Sequence, residues 1–533
     1  MNCCTEGQSV GRACEGAETA LGRLRVHLIG IGGSGMSGAA RMLLKMGAKV
    51  TGSDVQPFDG LGRIVAEGAR VAIGHDASHL DASTDLVVVS AAIPPHNAEL
   101  QEARRRGVAV IKYAELLGQL MAHRVGVGIA GTHGKTTTTA MCSYLLSYGG
   151  LDPSFVFGAR SDQLGGSSGV GHGPHFVVES CEFDHSFLQL RPRLAAILNI
   201  EPDHLDCYGS MEALVEAFGQ FARRVSAEGV LVCDADDPAA LEAAACAVCR
   251  VETCRVQAEP RHLGRRMAES ERRGRTVEFS RSAGGNGESG ADVDSCAGGN
   301  GHRARGWVER SEAYLPADWQ AVNLVERQGQ FAFDVLHEGR KHFATQLKVA
   351  GLHNVYNALA ASALAHHAGV SPAVLAEGLA RFEGVSRRMT LRALRRGVTI
   401  IDDYAHHPTE IRATLDAVSR RYTPKRTWVV FQPHQYARTR YLLEDFARSL
   451  AGVDEILVPD VYGAREEVGD VPVVGSKELV SRICGLGGRA QYLPTLAEVA
   501  EHVAGRVVEG DVVVIMGAGD VWKVADDLVE RIR

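Results

Sequence analysis

Short apolar runs alternate along the chain with stretches whose apolar residues recur every three or four positions, and this alternation predicts strand followed by helix through most of the sequence. Between residues 24 and 120, "RVHLIG" reads as a strand, "GMSGAARMLLKMG" has helical spacing, "AKVTGSD" is a second strand and "TDLVVVSAAI" a later one. Strands that alternate with helices pair in parallel through right-handed crossovers, so a Rossmann-like unit is expected here. The pattern restarts at "RVGVGIAGTHGKTTTTAMCSYLLSYGG", where a Val- and Ile-rich strand runs through a glycine loop into a helix, and "HFVVES" and "LAAILNI" add strands. A third start follows "FEGVSRRM", with "VTIIDDYA", "TWVVFQP", "EILVPDV" and "DVVVIMGAG" as strands between helices. The expected fold class is α/β in three domains: an N-terminal Rossmann-like unit over 23–122, a central P-loop ATPase-type parallel sheet over 123–384, and a C-terminal Rossmann-like unit over 385–533.

Two segments depart from the pattern. Residues 1–22 are small and polar and lack the apolar stretch of a secretory signal, which predicts a disordered tail and a cytoplasmic chain. The stretch "SAGGNGESGADVDSCAGGNGHRARG" has almost nothing to bury, so packing could not offset the entropy lost in fixing it; a flexible insertion is expected over about 256–310.

Totals narrow the picture further. A chain of 533 residues exceeds what one core supports, since cores stop growing near ~250–300 residues. With 45% hydrophobic and 23% charged residues it reads as soluble, and no apolar run reaches the roughly 20 residues of a membrane span. A formal net charge of −7 argues against a general nucleic-acid binder, so Arg104 to Arg106 read as a solvated helix face. The cysteines Cys233, Cys246, Cys249 and Cys254 hold a single C-x-x-C, whereas zinc sites more often pair two such hooks; apolar packing or an exposed spacer is the expected role.

Two glycine loops carry the chemistry. In "HLIGIGGSGMSG", Gly30, Gly32 and Gly35 follow a strand and precede a helix, and Asp54 ends the next strand, a context that suits a nucleotide diphosphate. NAD is the default ligand of that motif alone, and a tight strand-to-helix turn is the plainer alternative. In "GIAGTHGKTTTTA", Gly128, Gly131 and Gly134 precede Lys135 and Thr136, although Ile129 stands where the strict Walker pattern has glycine. Backbone amides can still surround phosphates, Lys135 can neutralise β and γ oxygens and the Thr136 hydroxyl can hold magnesium, so ATP with Mg is the expected occupant. Glu179 ends the strand "HFVVE", where a carboxylate could complete the magnesium shell.

In order along residues 24 to 525, "GIGGSGMSG", "GTHGKTTTT", "ESCEFDHSFL", "NIEPDHLD", "GLHNVYNALAA", "FEGVSRRM", "DDYAHHPTE", "FQPHQYARTR" and "MGAGD" resemble the Mur ligases of peptidoglycan synthesis, closest to the alanine-adding branch. The resemblance implies a cytoplasmic ATP-dependent carbon–nitrogen ligase whose small-molecule substrates are UDP-N-acetylmuramate and L-alanine, working as a monomer or homodimer. It implies that Gly131, Thr132, His133, Gly134, Lys135, Thr136 and Thr137 bind ATP, with His353 and Asn357 at the adenine and Asp403 at the nucleotide. Thr136 and Glu179 become residues of one magnesium, His204 a ligand of a second magnesium or a phosphate contact, and Lys135, Glu179, His204 and Arg388 the catalytic set. Arg388, a planar bidentate cation, could reach the γ-phosphate on domain closure. On the substrate side stand Gly32, Gly33, Ser34, Asp54, His75 and Ser90 for the uridine diphosphate-sugar, and Tyr404, His406, His434 and Arg438 for the amino acid. The chain departs from many relatives at Gln435, where they carry arginine, and no lysine occurs between Lys135 and Lys341 to be carbamylated, as in the alanine-adding branch. A sibling ligase that attaches a peptide to the same sugar nucleotide, and a binding protein that ATP merely switches, are the alternatives.

Overall fold

The computed structural model describes residues 21–58, 60–258, 316–464 and 474–532. Most of the expected tail, and the expected insertion beyond Ala258, lie outside the described residues. Three sheets run in chain order. The first comprises β1 Arg25–Ile29, β2 Lys49–Asp54, β3 Arg70–Ile73, β4 Leu86–Val89 and β5 Ala109–Lys112, all parallel in the order β3-β2-β1-β4-β5. Order reverses between β1 and its neighbours β2 and β4, and at such a switch point the loops leaving the strand ends open a ligand crevice.

The second sheet has ten strands: β6 Val125–Ala130, β7 Ser154–Ser161, β8 Gly166–Gly169, β9 His175–Glu179, β10 Leu194–Ile197, β11 Val230–Asp234, β12 Arg250–Val256, β13 Trp319–Arg327, β14 Gln330–His337 and β15 Arg340–Gln346. Its middle is parallel, but β7 pairs antiparallel with β8, and β13–β14–β15 form an antiparallel extension at the opposite edge. The expectation of a parallel sheet therefore describes the centre, not the edges. At that edge "FAFDVLH" alternates apolar and polar positions, as a one-sided antiparallel strand does.

The third sheet holds β16 Thr390–Arg395, β17 Val398–Asp403, β18 Arg426–Phe431, β19 Glu455–Val458, β20 Ala490–Tyr492 and β21 Asp511–Met516 in the order β16-β17-β21-β18-β19-β20, parallel except for β16. Both faces of its central strands are covered. Val512, Val514 and Met516 of β21 enter one buried cluster while Val513 and Ile515 enter the other, which is why such strands read as unbroken apolar runs. Cys233 and Cys254 are buried, and Cys246 and Cys249 are partly buried against the helices beside β11.

Candidate active site

β6 is buried between β9 and β10, so the chain leaving it reaches the sheet's carboxyl edge and turns into the helix Lys135–Tyr148. The turn needs glycine at two positions, Gly131 with φ +139° and Gly134 with φ +81°, where a side chain is strained. Asn199, just beyond β10, straps the loop by accepting His133 N–H at 2.7 Å, and its backbone carbonyl accepts Thr132 N–H at 2.9 Å.

Lys135 Nζ donates to the carbonyls of Gly131 (2.6 Å) and Thr132 (3.0 Å) and to Glu182 Oε1 (2.9 Å). Burial alone would lower its pKa, but the Glu182 carboxylate overrides that and holds the ammonium protonated. Thr136 Oγ1 donates to Glu179 Oε1 at 2.9 Å, and Glu179 Oε2 accepts Gly158 N–H at 2.6 Å, so the two expected oxygen ligands are in contact. His204 has φ +53°, its ring lies 5.1 Å from that of Phe183 and its buried Nδ1 has no hydrogen-bond partner among the described residues. Burial lowers its pKa, favouring the neutral ring, against the opposing pull of Asp203.

A cavity of about 410 Å³ opens beside the loop. His133, Gly134 and Thr137 line it from the loop and its helix, His353 and Asn357 from the helix His353–His367, and Arg388 and Asp403 from the third domain. Burial pushes the His353 imidazole down to about 4, so it is neutral. Asn357 is engaged within the protein: Oδ1 accepts Thr138 Oγ1–H (3.2 Å) and Nδ2 donates to Asn354 Oδ1 (3.1 Å). Asp403 accepts the N–H groups of Met389 (2.7 Å) and Ala405 (2.8 Å), and burial pushes its carboxyl up to about 6.

The third domain brings its cations together with acids. Arg388 lies 3.3 Å from Glu410, and the guanidinium groups of Arg387 and Arg388 lie 5.0 and 5.3 Å from the Tyr404 ring centroid. Arg387 also donates to Gly517 O at 2.6 Å, tying "MGAGD" to the start of the domain. Arg438 is 8% exposed; Nε and Nη2 both donate to Asp203 Oδ1 at 3.0 and 2.8 Å, and Nη1 lies 3.1 Å from His434 Nδ1. Burial pushes the His434 imidazole down to about 3. The His406 and His434 rings are 6.2 Å apart, and His406 Nδ1 bonds Tyr404 O at 3.0 Å.

His133, Glu201 and His407 place one ligand-type atom each within 4.8 Å of one another, a spacing a transition ion could use. His407 Nδ1, however, accepts Thr409 N–H at 3.3 Å to cap the helix Pro408–Tyr422, and Glu201 Oε2 accepts the Thr409 hydroxyl at 2.6 Å. With Nδ1 taken up by Thr409 N–H, the neutral His407 ring carries its proton on Nε2 and has no lone pair left for a metal. The group is instead an ion-paired clasp in which His133 stands 3.6 Å from Glu201 and 3.4 Å from Glu410. Sequence reasoning took His204 from "NIEPDHLD" and missed Glu201 and Asp203, although both stand in the same eight residues.

In the first domain Gly32 N–H donates to Asp54 Oδ2 at 2.8 Å, and a Cβ on Gly32 would come within 2.5 Å of the Phe58 ring. Gly33 precedes the helix Ser34–Lys45, and the side chain of Ser34 lies outside the description. Ser90 follows β4, where its N–H donates to Ile29 O, and His75 follows β3 and bonds Ser53. Gly32, Gly33, Asp54, His75 and Ser90 thus gather at the carboxyl ends of β1 to β4.

Comparison with known proteins gives three matches in series: "Mur ligase family, catalytic domain" over residues 25–125, "Mur ligase middle domain" over 129–294 and "Mur ligase, glutamate ligase domain" over 387–519. The chain is 36% identical over 505 residues to the UDP-N-acetylmuramate--L-alanine ligase of Alkaliphilus metalliredigens, covering 95% of this chain and 96% of the relative. It is 38% identical over 522 residues to the enzyme of that name from Salinibacter ruber, covering 97% of each. Among solved structures, the UDP-N-acetylmuramate-alanine ligase of Thermotoga maritima aligns with a TM-score of 0.72 at 25% identity, over 96% of this chain and 99% of that one. A murein peptide ligase from Psychrobacter arcticus shares the fold with a TM-score of 0.65 at 23% identity, over 96% and 99%.

Proposed function

Because the chain belongs to the Mur ligase family, we propose that it joins L-alanine to the carboxylate of UDP-N-acetylmuramate with cleavage of ATP to ADP and phosphate. The first domain takes the sugar nucleotide, the central domain ATP and the third the amino acid. The observation that carries this reading is the cavity lined jointly by the phosphate loop and by Arg388 and Asp403, since a γ-phosphate held by the loop then faces the third domain's cations.

A carboxylate and an amine do not condense at neutral pH, so the carboxylate oxygen first attacks the γ-phosphorus, forming an acyl phosphate and releasing ADP. The alanine nitrogen then attacks the acyl carbon, the C–O bond to phosphate breaks, and the amine proton leaves with solvent. Phosphoryl transfer needs positioned charge more than covalent help. Lys135, held cationic between two loop carbonyls and Glu182, supplies charge to the β and γ oxygens. Arg388, fixed by Glu410 and the Tyr404 ring, supplies it from the opposite wall. Arg438, aimed by Asp203, binds the amino-acid carboxylate. The oxygens of Thr136 and Glu179 fit magnesium, and we assign His204 to a second magnesium or to the phosphate itself; bound there, the ions would neutralise phosphate charge.

The test is phosphate release from ATP and magnesium with UDP-N-acetylmuramate alone, L-alanine alone, and both. Release that requires both, with an alanyl mass gain on the sugar nucleotide and loss of activity in Lys135→Ala, is expected. Release indifferent to the acceptors overturns the reading; a requirement for a peptide in place of alanine moves it to the sibling ligase.

A further inference from the structure

Glu99 is the most deeply enclosed acid among the described residues of the first domain, 0% exposed, in the first turn of the helix Ala98–Arg106. The ligation chemistry makes no use of it. Its two oxygens nevertheless collect donors from three directions. Oε2 accepts Ser53 Oγ–H at 2.5 Å and lies 3.1 Å from His27 Nε2; Oε1 lies 2.9 Å from His79 Nδ1 and accepts Asp76 N–H at 3.2 Å. Burial opposes ionisation, but the bonds from His27, Ser53 and His79 outweigh it and hold the carboxyl down at about 2, so the group is a carboxylate that can only accept.

That acceptor fixes a proton two bonds away. A serine hydroxyl has one proton, and Ser53 gives its proton to Glu99, so the 3.0 Å contact between Ser53 Oγ and His75 Nδ1 requires the imidazole to be the donor. His75 then carries its proton on Nδ1, and in the neutral ring Nε2 is an acceptor. Nε2 makes no hydrogen bond among the described residues, and the side chain is 15% exposed. The position matters as well. Gly74 N–H donates to Asp54 O at 2.7 Å, so His75 emerges beside the acid that receives Gly32 N–H, on the strand-end edge where a doubly wound sheet binds its ligand.

We propose that Glu99 is a positioning residue for the uridine diphosphate-sugar, acting through Ser53 to hold His75 as the Nδ1–H tautomer, so that Nε2 accepts a hydrogen bond from an N–H or hydroxyl of the nucleoside or sugar. The proposal rests on the assignment of the first domain to the sugar nucleotide. Glu99→Gln keeps the shape but can turn an N–H toward Ser53, reversing the relay, and Ser53→Ala removes the bridge.

The experiment measures binding of UDP-N-acetylmuramate to the full-length protein by calorimetry, alongside steady-state kinetics, for Glu99→Gln, Ser53→Ala, His75→Ala and the two double variants with His75→Ala. Roughly tenfold weaker binding and a matching rise in KM are expected for each single variant, with kcat and the KM for ATP within about twofold, the size of one hydrogen bond to a charged network. Neither Glu99→Gln nor Ser53→Ala should weaken binding further once His75 is alanine. Affinity within twofold of the parent in both variants, or losses that add fully to that of His75→Ala, would overturn the proposal, because a purely structural Glu99 would lower the melting temperature without such coupling. If Glu99→Gln does not fold, Ser53→Ala carries the same two outcomes. Failure of the parent to bind UDP-N-acetylmuramate at all would instead remove the substrate assignment on which the proposal stands.

Discussion

Replacing Gly134 by alanine tests whether the phosphate loop works through its backbone shape. The residue has φ +81°, and an added Cβ would stand 2.5 Å from Asn357 Oδ1 and 3.3 Å from Leu198 Cδ1. Asn357 cannot swing away freely, since its amide is bonded to both Thr138 and Asn354. The left-handed backbone costs an alanine about 1–2 kcal/mol, and overpacking a well-filled site costs about 1–3 kcal/mol more. The loop, bordering a cavity, gives way before the sheet does, so most of that roughly 2–5 kcal/mol is felt when ATP requires the native loop geometry. At about 1.4 kcal/mol per decade, affinity for a non-hydrolysable ATP analogue should fall at least roughly 30-fold, while the melting temperature of the protein alone shifts little. In an Asn357→Ala background the collision is gone and only the backbone cost remains, so the same substitution should cost about 5–30-fold. Calorimetric titration of the four proteins decides the matter. Binding by Gly134→Ala close to that of the parent, or an equal loss in both backgrounds, would refute the reasoning.

Three further outcomes follow from the seam between the central and third domains. The His133 pKa is raised from 6.5 to about 9 because, against the cost of burial, Glu201 and Glu410 stabilise the imidazolium. Its stabilisation is therefore complete below about pH 6.5 and is lost as pH rises through about 9, so the melting temperature should decline across that window and His133→Gln should flatten the decline; an undiminished slope in the variant rejects the clasp. Asp203→Asn removes the charge that aims Arg438, and with charged hydrogen bonds worth about 1.5–3 kcal/mol the KM for L-alanine should rise by roughly 10–100-fold; an unchanged KM would take Arg438 out of the amino-acid site. Glu179→Gln should raise the magnesium concentration for half-maximal phosphate release several-fold, and a superimposable magnesium curve would remove Glu179 from the metal.

The parts of the site legible in the sequence were those whose chemistry is local. A glycine loop between strand and helix can be read from consecutive letters because the backbone itself makes the site, so Gly131, Gly134, Lys135 and Thr136 sit together as their spacing implies. The residues missed do their work across long separations. Asp203 and Arg438 are 235 positions apart, Lys135 and Glu182 are 47 apart, and Glu99 reaches His27 across 72. No periodicity announces such pairs: Lys135 and Arg438 stand out by their motifs, whereas Glu182, Asp203 and Glu99 each read alone as an ordinary charge. Asn357 shows the converse: helical spacing placed it on the face with His353, but only the approach of Gly134 explains why its amide is spent on Thr138 and Asn354. The antiparallel strands β13 to β15 do alternate apolar and polar positions, but the reading of the central domain followed the strand–helix repeat and passed over them; Trp319 there is fully buried with Nε1–H donating to Glu252 at 2.7 Å.

The charges of the seam share one design. Lys135 is paired with Glu182, Arg388 with Glu410 and Arg438 with Asp203, and each of these acids is at most 9% exposed in its side chain. A lone cation in so enclosed a place would lower its own pKa or draw in water, whereas a carboxylate partner keeps it charged and fixes its direction. An arriving phosphate or carboxylate therefore meets cations already desolvated and oriented, and it shares them with the resident acid. The cost is weaker attraction for any single anion. What is gained is selectivity: on the proposed assignment the nucleotide must compete with Glu182 and Glu410 for Lys135 and Arg388, and the amino acid with Asp203 for Arg438, each carboxylate held in place by the fold.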